Sequence, residues 1–213
     1  MSSDQTAARL VLALRQSGIT NGRMLEAIES VPRHAFAKPG FKALSAEDVH
    51  LPLPAGQTVA PPIVTAQILS PVTRSPGSLA RERAFLIGAG GGYSAALLAR
   101  LVGHVTAIDR SAELVAFARH NLSKTGIGNV DVLHADGLSA GALADTSPLI
   151  VVMGTLAVLP SEWLERSPGP HLIAAPIGTF EKAELQVWAP GEPVEVSPLA
   201  SPLLPLRPGL SQA

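Results

Sequence analysis

Hydrophobic and polar positions change their spacing at about residue 84 of the chain. Beyond that point, short apolar runs alternate with stretches whose apolar residues recur every three or four positions. The short runs are typical of buried strands, and the periodic stretches are typical of amphipathic helices. The predicted strands are Ala84–Ile87, Val105–Ile108, Val130–His134 and Leu149–Met153, and the predicted helices are Tyr93–Leu101, Ala112–Lys124 and Leu138–Ala144. This alternation predicts an α/β fold with a mostly parallel sheet and helices on both faces.

The first 83 residues follow a helical pattern instead. "TAARLVLALRQSGI" has helical spacing and ends at Gly18, and "GRMLEAIESVP" is stopped by Pro32. Residues 32–60 have several prolines and glycines and no sustained period, which predicts an irregular segment. "PPIVTAQILSPV" is typical of a helix with prolines in its first turn. We therefore expect a helical arm over residues 1–83, packed on an α/β domain over residues 84–197.

The C-terminal part contains weaker signals. "PSEWLER" predicts a short helix, and "HLIAAPIG" and "AELQVWA" predict two strands that form a hairpin at the edge of the sheet. Residues 198–213 are rich in proline, leucine and serine, and we expect only partial order in this tail.

Composition narrows the possible functions. Charged residues are 15% of the chain, against about 25% in an average domain, and the mean hydropathy is +0.29, so we expect a heavily buried sheet. A net charge of −1 gives no electrostatic reason to expect nucleic acid or an acidic membrane as partner. The longest apolar stretch, Leu149–Leu159, is interrupted and shorter than the ~20 residues that span a bilayer.

Cysteine and histidine usage adds two expectations. The chain has no cysteine and does not open on a charged-then-apolar leader, so we expect a cytoplasmic location. Its six histidines show no spacing typical of metal ligands, and we expect no metal site.

A glycine-rich loop follows the first predicted strand of the α/β domain. Gly88-Ala89-Gly90-Gly91-Gly92 lies between that strand and a helix. Parallel sheets bind ligands at the carboxyl ends of their strands, and glycines let the backbone approach a ligand closely. Asp109 closes the next strand, where a carboxylate can accept both hydroxyls of a ribose. Together the loop and Asp109 predict a site for a nucleoside-containing ligand.

Two classes of cofactor fit this pair. Gly90-x-Gly92-x-x-Ala95 satisfies the fingerprint for dinucleotides. Gly88-x-Gly90-x-Gly92 is similar instead to the shorter loop of S-adenosylmethionine enzymes, whose ligand has no pyrophosphate.

The following strand favours S-adenosylmethionine. It ends in "HADG", which places Asp136 where it can accept the adenine amino group, and Gly137 where it leaves room for the flat ring. Asp136 could also cap a helix that starts near Leu138.

A hydrolase is a third possibility. "GYSAA" resembles a nucleophile elbow around Ser94, with the last glycine changed to alanine. His171 is the only histidine after His134 that could complete a catalytic triad. The extra glycines before Ser94 have no role in such an elbow. This favours the interpretation that Ser94 is only a small residue at the start of a helix.

Nearly the whole chain resembles the protein-L-isoaspartate O-methyltransferase family. The matching segments are "AIESVPRHAF", "EDVHLPLPAGQT", "GAGGGYSAALLA", "VTAIDRSAELVAFARHNL", "NVDVLHADG" and "PIG". The resemblance implies a Rossmann-like class I methyltransferase fold with an N-terminal arm, and S-adenosyl-L-methionine as cofactor. It also implies that the substrates are proteins or peptides with isoaspartyl or D-aspartyl residues, methylated for repair.

The resemblance further implies which residues form the site. The cofactor-binding positions are Gly88, Ala89, Gly90, Gly92, Asp109, Arg110, Asp136 and Gly137, and the substrate-positioning residues are Gln57, Thr58 and the residue at position 60.

Three positions depart from the family's pattern. Ala60 occupies a position that is usually serine, so one hydrogen bond to the substrate carboxylate, typically worth about 1.5–3 kcal/mol, is absent unless Thr58 or a backbone N–H replaces it. Leu86 occupies a position that usually has an acid near the cationic end of the cofactor, and Met153 is bulkier than usual. Three hypotheses follow: an active methyltransferase for isoaspartyl proteins, a homologue that has lost catalysis and acts as a binding protein, or a methyltransferase for a different acceptor.

Overall fold

A mostly parallel sheet forms the centre of the molecule. The computed structural model describes residues 3–74, 82–139, 147–165 and 169–212. The sheet's strands in chain order are β3 (Arg83–Ile87), β4 (His104–Asp109), β5 (Val130–His134), β6 (Leu149–Val152), β7 (Leu172–Gly178), β8 (Ala183–Trp188) and β9 (Glu195–Pro198). Two further strands, β1 (Leu51–Pro52) and β2 (Thr58–Val59), form a separate antiparallel hairpin.

The order of the strands creates a switch point at β3. Across the sheet they lie in the order β5-β4-β3-β6-β7-β8-β9. Pairs from β5 through β7 are parallel, and β8 and β9 are antiparallel to their neighbours. The chain leaves β3 towards β4 on one side and later returns as β6 on the other. A crevice therefore opens beyond the carboxyl end of β3.

Helices cover both faces of the sheet. They are α1 (Ser3–Gln16), α2 (Gly22–Ser30), α3 (Pro62–Leu69), α4 (Tyr93–Leu101), α5 (Ala112–Lys124) and α6 (Glu162–Glu165). Alternate residues of β3 point to opposite faces, so Ala84 and Leu86 join the larger core cluster, and Phe85 and Ile87 join the smaller one. The predicted α/β Rossmann-like fold is confirmed.

Local sequence explains where several helices begin and end. The side chain of Asn21 accepts a hydrogen bond from the N–H of Met24 at the start of α2, and Ser111 accepts from Leu114 at the start of α5. α3 begins at Pro62, whose missing N–H would have had no partner in the first turn. Gly18 follows α1 with φ +87°, a left-handed conformation that glycine adopts without strain.

The C-terminal part differs from the prediction in one respect. The two predicted strands do form an antiparallel hairpin, β7 and β8, but β9 pairs with β8, so the hairpin is not at the edge. The segment "VEVSP" was missed because it is short, ends in a proline and has only two apolar residues, Val194 and Val196, both of them exposed. Within the predicted helix Leu138–Ala144, the first two residues form a turn, and residues 140–144 lie outside the described residues.

The division into arm, domain and tail stays a prediction. Among the residues that the structure describes, no helix combines the length and the apolar character that crossing a membrane requires.

Candidate active site

A cavity of about 640 Å³ opens at the carboxyl ends of β3, β4 and β6. Its size is within the range of sites for small molecules and cofactors, roughly 300–1,000 Å³. The hairpin β1–β2, the glycine loop and the C-terminal tail all line it. The lining residues include Gln57, Thr58, Ala60, Gly88, Ala89, Gly90, Tyr93, Asp109, Arg110, Gly137, Met153 and Leu203–Arg207. Most residues predicted for the site from the sequence therefore meet at one cavity.

The glycine loop has the conformation that requires glycine. Gly88, Gly90 and Gly92 have φ of +89°, +52° and +91°. A Cβ on Gly88 would lie 2.9 Å from the carbonyl oxygen of Met153, so the residue after β6 approaches the loop too closely for any side chain at position 88. From α5, Asn121 donates a hydrogen bond of 3.0 Å to the carbonyl of Gly91. Contacts with Met153 and with α5 thus fix the position of the loop beside the cavity.

Asp109 lies beside this loop, as predicted. One carboxylate oxygen accepts a hydrogen bond from the N–H of Gly90 at 2.9 Å, and the other accepts from the N–H of Ser111 at 3.0 Å. Each oxygen retains a further lone pair, and the residue lines the cavity. Arg110 also lines the cavity, and its Nε donates to the carbonyl of Gly209 at 2.6 Å.

Asp136 and Gly137 have contacts within the protein itself. Asp136 accepts hydrogen bonds from the N–H groups of Leu138 at 2.9 Å and of Gly209 at 2.7 Å. A Cβ on Gly137 would collide with Cγ2 of Ile87, so packing against β3 alone requires glycine there. Their predicted roles towards adenine stay predictions.

The hairpin β1–β2 presents Gln57 and Thr58. Its turn places Ala55 and Gly56 at φ of +53° and +66°, with a hydrogen bond from the N–H of Gln57 to the carbonyl of Pro54. Positive φ at both central residues is typical of the tight turns whose twist matches a hairpin. Gln57 and Thr58 are exposed at the cavity, while Ala60 is buried and contributes only a methyl group.

Arg33 organises this region and was not predicted as a site residue. Its buried guanidinium donates hydrogen bonds to the carbonyls of Ser45, Glu47, Val49 and Ala60, at 2.7–3.3 Å. It lies 5.9 Å from the centre of the Tyr93 ring. Burial lowers the pKa of Arg33, and the nearby Tyr93 and Asp48 oppose that shift. The only signal in the sequence was the arginine of "VPRHAF".

The C-terminal tail forms another side of the cavity, which the sequence did not indicate. The hydroxyl of Thr155 donates to the carbonyl of Leu203 at 2.8 Å, and backbone hydrogen bonds join Thr155 to Leu204 and Leu206. Leu206 packs against Gly154, where a Cβ would lie 2.7 Å from its Cδ2. The expected partial order of the tail therefore gives way to a packed segment over these residues.

Tyr93 also lines the cavity, at the start of α4. Its ring is 1% exposed, and its buried hydroxyl has no hydrogen-bond partner among the described residues. Burial raises the pKa of this hydroxyl, while Arg33 opposes the shift, so Tyr93 is a neutral donor next to the glycine loop.

Leu86 and Met153, the other two positions that depart from the family's pattern, lie in different surroundings. Leu86 is fully buried in the larger core cluster and does not line the cavity, whereas Met153 does. An acid at position 86 would have to be buried among apolar side chains.

The hydrolase alternative is wrong on geometry. Ser94 is buried at the carboxyl edge of the sheet, whereas His171 is exposed and directly precedes β7, at the opposite edge. The two side chains cannot form a catalytic pair.

Comparison with known sequences decides which kind of protein has this site. The family model described as Protein-L-isoaspartate(D-aspartate) O-methyltransferase (PCMT) matches residues 5–192. The chain belongs to this family. It is 40% identical over 179 residues to a protein-L-isoaspartate O-methyltransferase of Aeropyrum pernix, covering 80% of this chain and 66% of that relative. It is 35% identical over 183 residues to the enzyme of the same name from Dechloromonas aromatica, covering 85% and 83%.

Solved structures agree on the fold. The structure of a putative family member from Plasmodium falciparum, solved with S-adenosyl-L-homocysteine, superposes with a TM-score of 0.76 at 17% identity, covering 93% of this chain and 96% of that one. A second protein-L-isoaspartate O-methyltransferase superposes with a TM-score of 0.74 at 21% identity, covering 93% and 65%.

Proposed function

We propose that this chain transfers a methyl group from S-adenosyl-L-methionine to the carboxylate of isoaspartyl or D-aspartyl residues in proteins and peptides. Membership of the family and the names of its relatives at 35–40% identity support this activity. The observation that supports it most directly is the single cavity lined by both the glycine loop and the loop of Gln57 and Thr58. Such methylation would serve the repair of aged proteins.

The residues present fit the cofactor. Gly88 and Gly90, with positive φ, line the cavity, and Asp109 retains free lone pairs beside them. The unpartnered hydroxyl of Tyr93 offers a further donor. We infer that the backbone of Gly88, Ala89, Gly90 and Gly92 contacts the cofactor. Asp109 would accept hydrogen bonds from its ribose hydroxyls, and Arg110, Asp136 and Gly137 would flank its adenine. When bound, S-adenosylmethionine supplies a methyl group on a positively charged sulfur.

The chain's own task is to orient the two reactants. An aspartyl-type carboxyl group is ionised near pH 7, so its oxygen needs no general base to act as nucleophile. Gln57 and Thr58 line the cavity, which supports a role in holding that carboxylate, and the packed tail lines the same cavity. Holding reacting groups in line can lower a barrier by roughly 7–11 kcal/mol.

Methyl transfer to peptides tests the proposal. The wild-type chain is incubated with labelled S-adenosylmethionine and an isoaspartyl peptide, with the matching aspartyl peptide as control. Base-labile label on the isoaspartyl peptide alone is the expected result. Absence of label, from protein whose folding is verified by circular dichroism, would refute the function.

A homologue without catalysis is the second candidate, favoured by the methyl of Ala60 and the buried Leu86. Ala60→Ser, alone and with Leu86→Glu, separates the two candidates. An active enzyme should gain about tenfold in kcat/KM from the serine hydroxyl. Activity that appears only in the double variant would support the silent homologue. Folded but inactive variants would exclude these two positions as the cause of any inactivity.

A cytoplasmic location stays a prediction from the absence of cysteine.

A further inference from the structure

We propose that His50 is a positioning residue of this site, whose imidazole orients the hydroxyl of Thr58 so that its hydrogen points to the substrate carboxylate. This inference rests on the proposed function and assigns His50 a part in it.

Both ring nitrogens of His50 have a partner. Nδ1 lies 3.1 Å from the hydroxyl oxygen of Thr58, and Nε2 lies 3.0 Å from that of Ser201. Thr58 lines the cavity on the hairpin, and Ser201 lies two residues before the tail segment that also lines it. His50 therefore links the hairpin to the tail, since Ser201 is 151 positions from His50 in the chain.

The register of the hairpin places His50 on the same face as Ala60. Leu51 pairs with Val59 and Pro52 with Thr58, so the same register continued by one residue sets His50 opposite Ala60. Opposite residues of an antiparallel pair share a face, as do residues two apart on one strand. The imidazole thus adjoins Thr58 on the face where residue 60 offers no hydroxyl.

Burial and the nearby Arg33 favour the neutral ring of His50. Burial lowers the pKa of His50, Arg33 lowers it further, and Asp48 opposes both. A neutral imidazole donates from one nitrogen and accepts at the other.

The tautomer decides what Thr58 can do. If Nδ1 donates to the Thr58 oxygen and Nε2 accepts from Ser201, the hydrogen of Thr58 stays available for the carboxylate. The opposite tautomer would engage that hydrogen, so we infer that Nδ1 carries the proton. This arrangement supplies a donor that the methyl of Ala60 cannot supply.

Two isosteric variants separate the two contacts of the ring. The amide nitrogen of His50→Asn can replace Nδ1 and retain the contact with Thr58, whereas that of His50→Gln can replace Nε2 and retain the contact with Ser201. We expect His50→Gln to lower kcat/KM for the isoaspartyl peptide about tenfold, and His50→Asn to lower it less than about threefold. Affinity for S-adenosylhomocysteine should be unchanged in both.

A double-mutant cycle tests whether His50 acts through Thr58. Thr58→Val removes the hydroxyl at nearly constant shape, so His50→Gln should have no further effect in that background. Additive losses, or equal losses in the Asn and Gln variants, would overturn the role of His50.

Nitrogen-15 NMR of the imidazole tests the tautomer without turnover. We expect the proton on Nδ1 in the wild type and a change of tautomer population in Thr58→Val; a proton on Nε2 would overturn the proposal. A wild-type chain that methylates no isoaspartyl peptide would refute the proposed function itself, and with it the role of His50. An active wild type with additive losses in the double-mutant cycle would refute only the role of His50.

Discussion

The two sides of the cavity are held by contacts of different range. The cofactor side, meaning the glycine loop 88–92 with Asp109, is joined by hydrogen bonds between residues 19 and 30 positions apart. The substrate side, meaning hairpin β1–β2 with tail residues 198–207, depends on contacts such as that of Gln67 with Pro198 and that of His50 with Ser201, 131 and 151 positions apart. The first side follows from one strand–loop–helix–strand unit. The second forms only when the tail meets the hairpin and α3.

This difference bears on one of the three departures from the family, Ala60, whereas Leu86 and Met153 lie on the cofactor side, in β3 and directly after β6. Glycines with positive φ and an acid at the next strand end leave little freedom, and here both are present. On the substrate side, a hydroxyl missing at Ala60 can be replaced by groups from other elements, since His50, Thr58 and the tail converge there. A site built from several elements can change one member and retain its chemistry.

The largest effect should come from Asp109→Ala on the cofactor side. Loss of two hydrogen bonds to a charged carboxylate, each worth about 1.5–3 kcal/mol, should weaken binding of S-adenosylhomocysteine about a thousandfold in calorimetry. Asp131→Ala is the control, because Asp131 is exposed on β5 and pairs with His104 outside the cavity. Unchanged affinity in Asp109→Ala would refute the assignment of the site.

Arg33→Met should damage the substrate side. Four carbonyls lose their donor, and we expect the free energy of unfolding, measured in urea, to fall by about 3 kcal/mol. KM for the peptide should rise more than Kd for S-adenosylhomocysteine, because the carbonyls that Arg33 holds flank hairpin β1–β2 on the substrate side. Arg9→Met is the control, since Arg9 pairs with Glu47 at the surface. An equal rise in KM for the peptide and in Kd for S-adenosylhomocysteine would mean that the two sides of the cavity are not independent.

Removal of residues 208–213 tests whether the tail also supports the cofactor side. The N–H of Gly209 donates to Asp136, and that of Ser211 donates to the carbonyl of Arg110. Without them we expect affinity for S-adenosylhomocysteine to fall about fivefold, roughly 1 kcal/mol. Removal of residues 212–213 alone is the control. Tighter binding in the shortened chain would show instead that the tail competes with the ligand for Asp136.

The smallest effect should come from Ala55→Gly in the hairpin turn. Ala55 has φ +53°, a conformation that costs an alanine about 1–2 kcal/mol and that glycine adopts without this cost. Glycine also increases the entropy of the unfolded chain, which offsets part of the gain. We expect the free energy of unfolding to rise by about 0.5 kcal/mol. Ala37→Gly, at φ −99°, should instead lower it. A loss of stability in Ala55→Gly would mean that the methyl group contributes packing that outweighs the strain.

Much of the cofactor side could be predicted from the sequence. The bounds of α4 and α5 agree with the prediction, and β3 to β6 differ from it by a single residue at most at each end. These elements have strong apolar periods, and the glycine loop and Asp109 end two adjacent parallel strands. Strands that pair in parallel bring their carboxyl ends to one edge, so local pattern was sufficient there.

The tertiary structure alone decided the substrate side. The contacts of Arg33 with four carbonyls and the link from His50 to Ser201 leave no period in the sequence. Their partners are hydrogen-bonding groups and side chains distant along the chain, and which of them meet depends on how the elements pack. Sequence by itself determined the parallel sheet and its ligand-binding edge, because strand period and glycine conformation are local properties. Only packing decided which donors surround Ala60, because a hydrogen bond between residues 151 positions apart requires the whole fold.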